Sequence, residues 1–208
     1  LILSSFIASH AQGSYQIAQA IDFFRLNKMQ SGDWSKTLEE SDIEGSPYLN
    51  DDFVDGIIFT TSKFQYEKVP LRYNIYNDNL EFKTPDDQVM AIAAPEIVEK
   101  VYLGDEVMIY SPYSNAKRIR RGFFKIMEEG KASLYARQIV QYSDPVEPGA
   151  YKEAEPAKFT RKPDAYYIRI GIEQAQLVSN KKELLAAFPD HSEKIAAFVK
   201  KNKVKPTK

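Results

Sequence analysis

Residues 71–82 read LRYNIYNDNLEF, and the parsing of this polar, aromatic run decides the fold. Extended backbone sends successive side chains to opposite faces. With the preceding Val69 and Pro70, this places Val69, Leu71, Tyr73 and Ile75 on one face and Pro70, Arg72, Asn74 and Tyr76 on the other. Asn77, Asp78 and Asn79 are of the non-glycine types that best tolerate left-handed backbone. They predict a three-residue turn, after which Leu80 and Phe82 resume the apolar face. The run reads as a β-hairpin whose polarity follows from its geometry. A binding site built on Asn74, Tyr76 and Asp78 is the alternative.

The pattern recurs from Phe53 onward. FVDGIIFTT, FQYEKVPLRYNIY, LEFK, QVMAIA, EIVEKVYL, EVMIYSPY, RIRRGFFKIM, KASLYARQIVQY and AYYIRI are short aromatic or β-branched runs separated by turn residues. In VYLGDEVMIY, Gly104-Asp105 suits a type II′ hairpin, setting Val101 beside Val107. In FFKIMEEGKASLY, Glu129-Gly130 predicts a second tight turn, with Gly130 left-handed and Phe124 and Ile126 near Leu134. These readings give a mainly β (α+β) fold: an antiparallel meander forming a sandwich or half-barrel, with a short C-terminal helical pair. The 13 Tyr and 12 Phe lean the same way.

Four segments follow. Residues 1–11 (LILSSFIASHA) look like the rear of a secretory signal, an apolar run ending in Ser9, His10 and Ala11. Residues 12–50 read as an irregular or partly extended approach anchored by Trp34, and residues 51–178 as the β domain. Within the latter, residues 143–164 hold four prolines and dense mixed charge. Such a stretch is either an excursion over the sheet or a proline-punctuated edge strand. Residues 179–208 switch to helical spacing. Asn180 with Glu183 and Asp190 with Glu193 are capping-box patterns. Leu184, Leu185 and Phe188 form one apolar stripe, and Ile195, Phe198 and Val199 another. The lysines here suit a solvated face and the last turn of a helix better than nucleic acid.

A chain of 208 residues with 43% hydrophobic and 27% charged residues buries a core without staples. Its net charge of -1 provides no global field for nucleic acid or an anionic membrane. The absence of cysteine excludes disulfides, thiolate metal sites and cysteine nucleophiles. With only His10 and His191, a histidine-rich metal site is excluded by count, and His191 sits where exposed polar residues are normal. No GxGxxG, P-loop or GxSxG occurs, so no cofactor is implied and no catalytic residue is assigned. Beyond residue 11 no run approaches the ~18 apolar residues of a membrane-spanning helix. Asp51, Asp52 and Asp55 lack the ordered spacing of a calcium loop and read as solvated strand entry. In NAKRIRRGFF, alternation places Arg118 and Arg120 on one face and Ile119 and Arg121 on the other. Lys117 and these arginines read as a solvated face, with contact to a small anion or an acidic polysaccharide as the alternative.

The stretches GSPYLNDDFVDG, VPLRYNIYNDNLEF, GKASLYARQIVQY and NKKELLAAFPD, followed by IAAFVKKNKV, resemble a family of exported proteins, secreted or periplasmic, of Bacteroidota-type bacteria. The resemblance runs from about Gly45 to the end. It implies export and transfers no activity to any residue. The expectation is therefore an exported, non-enzymatic binding or interaction protein of the cell envelope, its partner an envelope protein or a glycan, its oligomeric state open. Asn74, Tyr76, Asp78, Tyr110, Tyr113, Arg118 and Arg120 are the surface candidates, the tyrosines as outer-face aromatics. The alternatives are a carrier of a lipid or small hydrophobic ligand, which requires an apolar cavity, and a hydrolase using two acids among Asp51, Asp55, Asp78 and Glu81.

Overall fold

The computed structural model describes residues 14–15, 43–115, 118–146, 148 and 153–203. The signal-like segment and Trp34 lie outside these. Eleven strands form one sheet: β1 (Ser14–Tyr15), β2 (Val54–Thr60), β3 (Gln65–Asn74), β4 (Asn79–Lys83), β5 (Val89–Ala91), β6 (Val98–Leu103), β7 (Glu106–Asn115), β8 (Arg118–Glu128), β9 (Ala132–Ser143), β10 (Lys158–Ile170) and β11 (Gln176–Leu177). Ten follow the order β11-β10-β9-β8-β7-β6-β2-β3-β4-β5, and β1 pairs β3 in parallel. Two antiparallel meanders thus meet where β2 pairs β6, and the sheet curls into a half-barrel.

Bulges bend it. Register shifts occur between β2 and β3, β2 and β6, β8 and β9, and β9 and β10, and each extra residue increases local twist. Pro163 falls within the β9–β10 shift, at a place where a missing N–H is tolerated. Within the proline-rich stretch, Val146 and Glu155 pair in an isolated antiparallel bridge, and strand runs from Lys158.

Residues 43–49 complete the curl. Glu44 donates to Ala157 O (2.9 Å) and accepts from Phe159 N (2.8 Å) on the β10 side, while Pro47 O accepts from Ile75 N (2.8 Å) and Leu49 donates to Tyr73 O (2.9 Å) on the β3 side. One short strap thus joins two strands far apart in sheet order.

The 71–82 hairpin forms, with Leu71 opposite Phe82 and Tyr73 opposite Leu80. Its turn is longer than the expected three residues: Asn74 pairs with Asn79, leaving residues 75–78 between them. The Asn74 side-chain oxygen draws in Asn77 N (3.0 Å), and Asp78 takes the left-handed conformation (φ 55°). At Gly104, φ is +58° and the two-residue turn is as expected, but the flanking pair is Leu103–Glu106. That register sets Val101 opposite Met108, one step from the expected Val107. The second tight turn is not formed. Gly130 is not left-handed, because a wider connection closed by Ser133 Oγ on Gly130 N and O (3.3 Å each) needs no such residue. Ile126 accordingly faces Tyr135, and Leu134 faces Glu128.

Alternation along β7 and β8 creates two cores on opposite faces. Met108 and Phe123 join Ile58, Val69, Leu71, Tyr73, Leu80, Phe82, Val101 and Leu103 in the first. Ile109, Tyr113 and Phe124 join Tyr135, Tyr167 and Ala175 in the second. Ala175 closes the latter by bonding β7 on both sides, to Pro112 O and from Ser114 N (3.0 Å each).

Helices α1 (Lys181–Ala187) and α2 (Ser192–Lys201) follow. The Asn180–Glu183 box is present: Glu183 N donates to Asn180 Oδ1 (3.0 Å). Glu183 accepts from Ser179 N (2.7 Å), a bond that holds its carboxyl below the usual range. The Asp190–Glu193 box is not. Pro189–His191 forms a 3-10 turn running straight into α2, so His191 takes the cap position and makes no side-chain cap bond. Phe198 also departs from its stripe, at 62% exposed, because the packed side of α2 follows Ile195 and Val199.

Candidate functional site

Two features stand out, a half-buried carboxylate that ties the cores together and a cleft beside the strap. The first begins with a split in the sheet. Strand β8 pairs β9 only from Lys125 to Glu128, so above that point the strands part, and the 75–78 turn fills the gap. Asp78 Oδ1 accepts from Phe123 N (3.1 Å) and Tyr73 Oη (2.7 Å), and Oδ2 pairs with Arg137 Nη2 (2.9 Å). The guanidinium lies 4.7 Å from the Tyr113 ring centroid and 5.7 Å from that of Phe124. Asp78 thus links Tyr73 of the first core to a cation seated on the second. Burial, the largest influence, disfavours the charge on Arg137, but the charge and hydrogen bond of Asp78 together with Tyr113 and Tyr73 outweigh it and raise the pKa.

The same carboxylate acts on Tyr73. Burial first, then the charge and hydrogen bond of Asp78, push its phenol well above 10.0, with Arg137 and Arg161 opposing. Burial raises Tyr110 and Tyr167 as well. A phenol with a raised folded pKa stabilises the fold fully below its unfolded value and withdraws that contribution as pH climbs through the folded one. Stability is therefore expected to fall above about pH 10. Tyrosinate absorbance should show Tyr73 titrating only as the fold is lost. Smooth titration of every tyrosine before unfolding would contradict it.

The cleft encloses about 330 Å³ and is lined in part by Ser46, Pro47, Tyr48, Asp51, Arg72 and Phe159. Arg72 is its central cation, with Cζ 3.5 Å from the Tyr48 centroid and 4.6 Å from that of Phe53. It pairs with Glu81 (2.9 Å) and donates to Asp51 O (3.1 Å). Ser46 Oγ donates to the Asp51 carboxylate. Behind the cleft, Phe159 packs against Tyr76 and Tyr142 at centroid separations of 5.2 and 5.3 Å. Tyr76 is 39% exposed and extends the aromatic lining outward.

The residues proposed from sequence scatter. Tyr76 reaches the cleft's aromatic margin. Asn74 is buried beneath the strap at Tyr48 and donates to Glu81 (3.3 Å), so it is no surface contact. Tyr113 is buried too, since its odd-numbered face of β7 covers the second core. Tyr110 is half-buried against Phe123. Arg118 and Arg120 are exposed at the far end of β8. Among the suggested catalytic acids, Asp51 and Asp55 are exposed, whereas Asp78 and Glu81 are held by different arginines. Among the described residues no group of three His, Asp or Glu is placed to hold a metal ion, and no helix is long and apolar enough to cross a membrane. Sequence reasoning missed Arg72, Tyr48 and Phe159, because their meeting depends on the strap. The signal available was Gly45-Ser46-Pro47, a turn-forming run ahead of two aromatics. Comparison of the chain with family models, with curated proteins and with solved structures finds no match in any of the three.

Proposed function

We propose that the protein is an exported, non-catalytic binding module of the cell envelope that takes a glycan at the strap cleft. The observation that carries this reading is Tyr76, an exposed ring braced by Phe159 and Tyr142 beside a cleft holding a guanidinium, a carboxylate and a hydroxyl. A sugar presents an apolar face to stack on a ring and hydroxyls to bond to such groups. The signal-like start and the family resemblance support export. Two further features weigh against the alternatives. Tyr73, Phe82, Phe123 and Phe124 fill the interior at no more than 2% exposure, leaving an apolar carrier little room around them. Asp78 and Glu81 are occupied in ion pairs rather than facing each other across a cleft.

Titration with envelope-type oligosaccharides tests it. Wild-type protein is expected to bind, with roughly ten-fold loss for Tyr76→Ala. Absence of glycan binding, or binding indifferent to Tyr76→Ala, would reject the reading.

A further inference from the structure

At its Arg118 end strand β8 extends past its pairing with β9, and this end carries charge that no described neighbour neutralises. Pairing with β7 continues through Arg121, Arg120, Ile119 and Arg118, well beyond the last β8–β9 contact at Lys125. All four residues are exposed, Ile119 at 63%. Their cross-strand partners are Pro112, Tyr113, Ser114 and Asn115, none of them acidic. Among the described residues no carboxylate pairs with any of the three arginines, although eight other cations in the fold have acid partners. A chain of net charge -1 thus concentrates three guanidinium groups at the end of the β7–β8 hairpin, where Ala175 bridges the β7 side and the β8 side is unpaired among the described residues.

Two details select the partner. The arginines stand on both faces, so a partner lying flat against one face leaves part of the charge unused. End-on entry into a charged layer engages both. Ile119 then sits among the cations, and a branched apolar side chain adds nothing to contact with a soluble polyanion. It gains where hydrocarbon lies beneath an anionic surface. We propose that this hairpin end docks on an anionic lipid surface, with Arg118, Arg120 and Arg121 among the headgroups and Ile119 reaching the acyl boundary. The surface uses none of the cleft's residues, and its docking is independent of what the cleft binds.

Co-sedimentation with vesicles decides the matter. The chain is expected to bind phosphatidylcholine vesicles containing phosphatidylglycerol, to ignore phosphatidylcholine alone, and to release as salt is added. The R118Q/R120Q/R121Q variant should lose roughly 100-fold in partitioning, and Ile119→Ser several-fold. Unchanged circular dichroism is the control, since these side chains are exposed. Failure to bind anionic vesicles, or an unaltered triple variant, would overturn the proposal. Heparin binding as tight as vesicle binding and indifferent to Ile119→Ser would overturn it too, assigning the arginines to an acidic polysaccharide.

Discussion

Asp78→Asn is expected to lower folding stability by about 2–4 kcal/mol, a loss out of proportion to a change of one atom. Asparagine fits the site and tolerates the left-handed backbone at φ 55°, so the substitution isolates the charge. What is lost is the counterion of Arg137, at 21% side-chain exposure: Oδ2 becomes an amide donor facing the guanidinium, while Oδ1 still accepts from Tyr73 and Phe123. Urea denaturation would measure it. Gly122 supplies the partner for a double-mutant cycle. A Cβ there would stand 2.1 Å from Arg137 Nη1 and 2.5 Å from Asp78 Oδ2, so Gly122→Ala must displace the pair. Its cost should shrink sharply once Asp78 is asparagine. Additive costs would show that the pair does not hold the cores together.

Phe123→Ala is the second large effect, expected at about 3–5 kcal/mol. The ring is 1% exposed and meets Tyr73 edge-on at 5.7 Å and Tyr110 at 5.0 Å. Its loss opens a cavity at the split between β8 and β9, where the ladder cannot close in. For a chain of this length that corresponds to a drop in Tm of roughly 10 °C or more. A cost under about 1 kcal/mol would mean that neighbouring rings collapse into the space.

The local half of this fold was legible in the sequence. Alternation in VPLRYNIY identified Val69, Leu71 and Tyr73 as core, and the long strands fall where short aromatic runs were flanked by turn residues, because strand period and turn chemistry act within a few residues. What was not legible depends on distance along the chain. Asn74 and Tyr113 satisfy every local criterion for outer-face residues, yet the strap covers one and Ala175 closes over the other. Asp78 read as a turn former, which it is. That it also meets Arg137 and Phe123 requires β8 and β9 to separate, and no periodicity announces a split sheet. Register by a single step, as at Val101, was likewise set by the turn's flanking pair and not by the apolar pattern.

The most direct test of the account is amide-resolved chemical-shift mapping during titration with the bound oligosaccharide. Perturbations are predicted at Gly45, Ser46, Tyr48, Asp51, Tyr76 and Phe159, with Phe82, Leu103, Met108 and Phe123 unmoved. Shifts centred on those interior residues would place the ligand inside the curled sheet and contradict a filled core with its site on the outer surface.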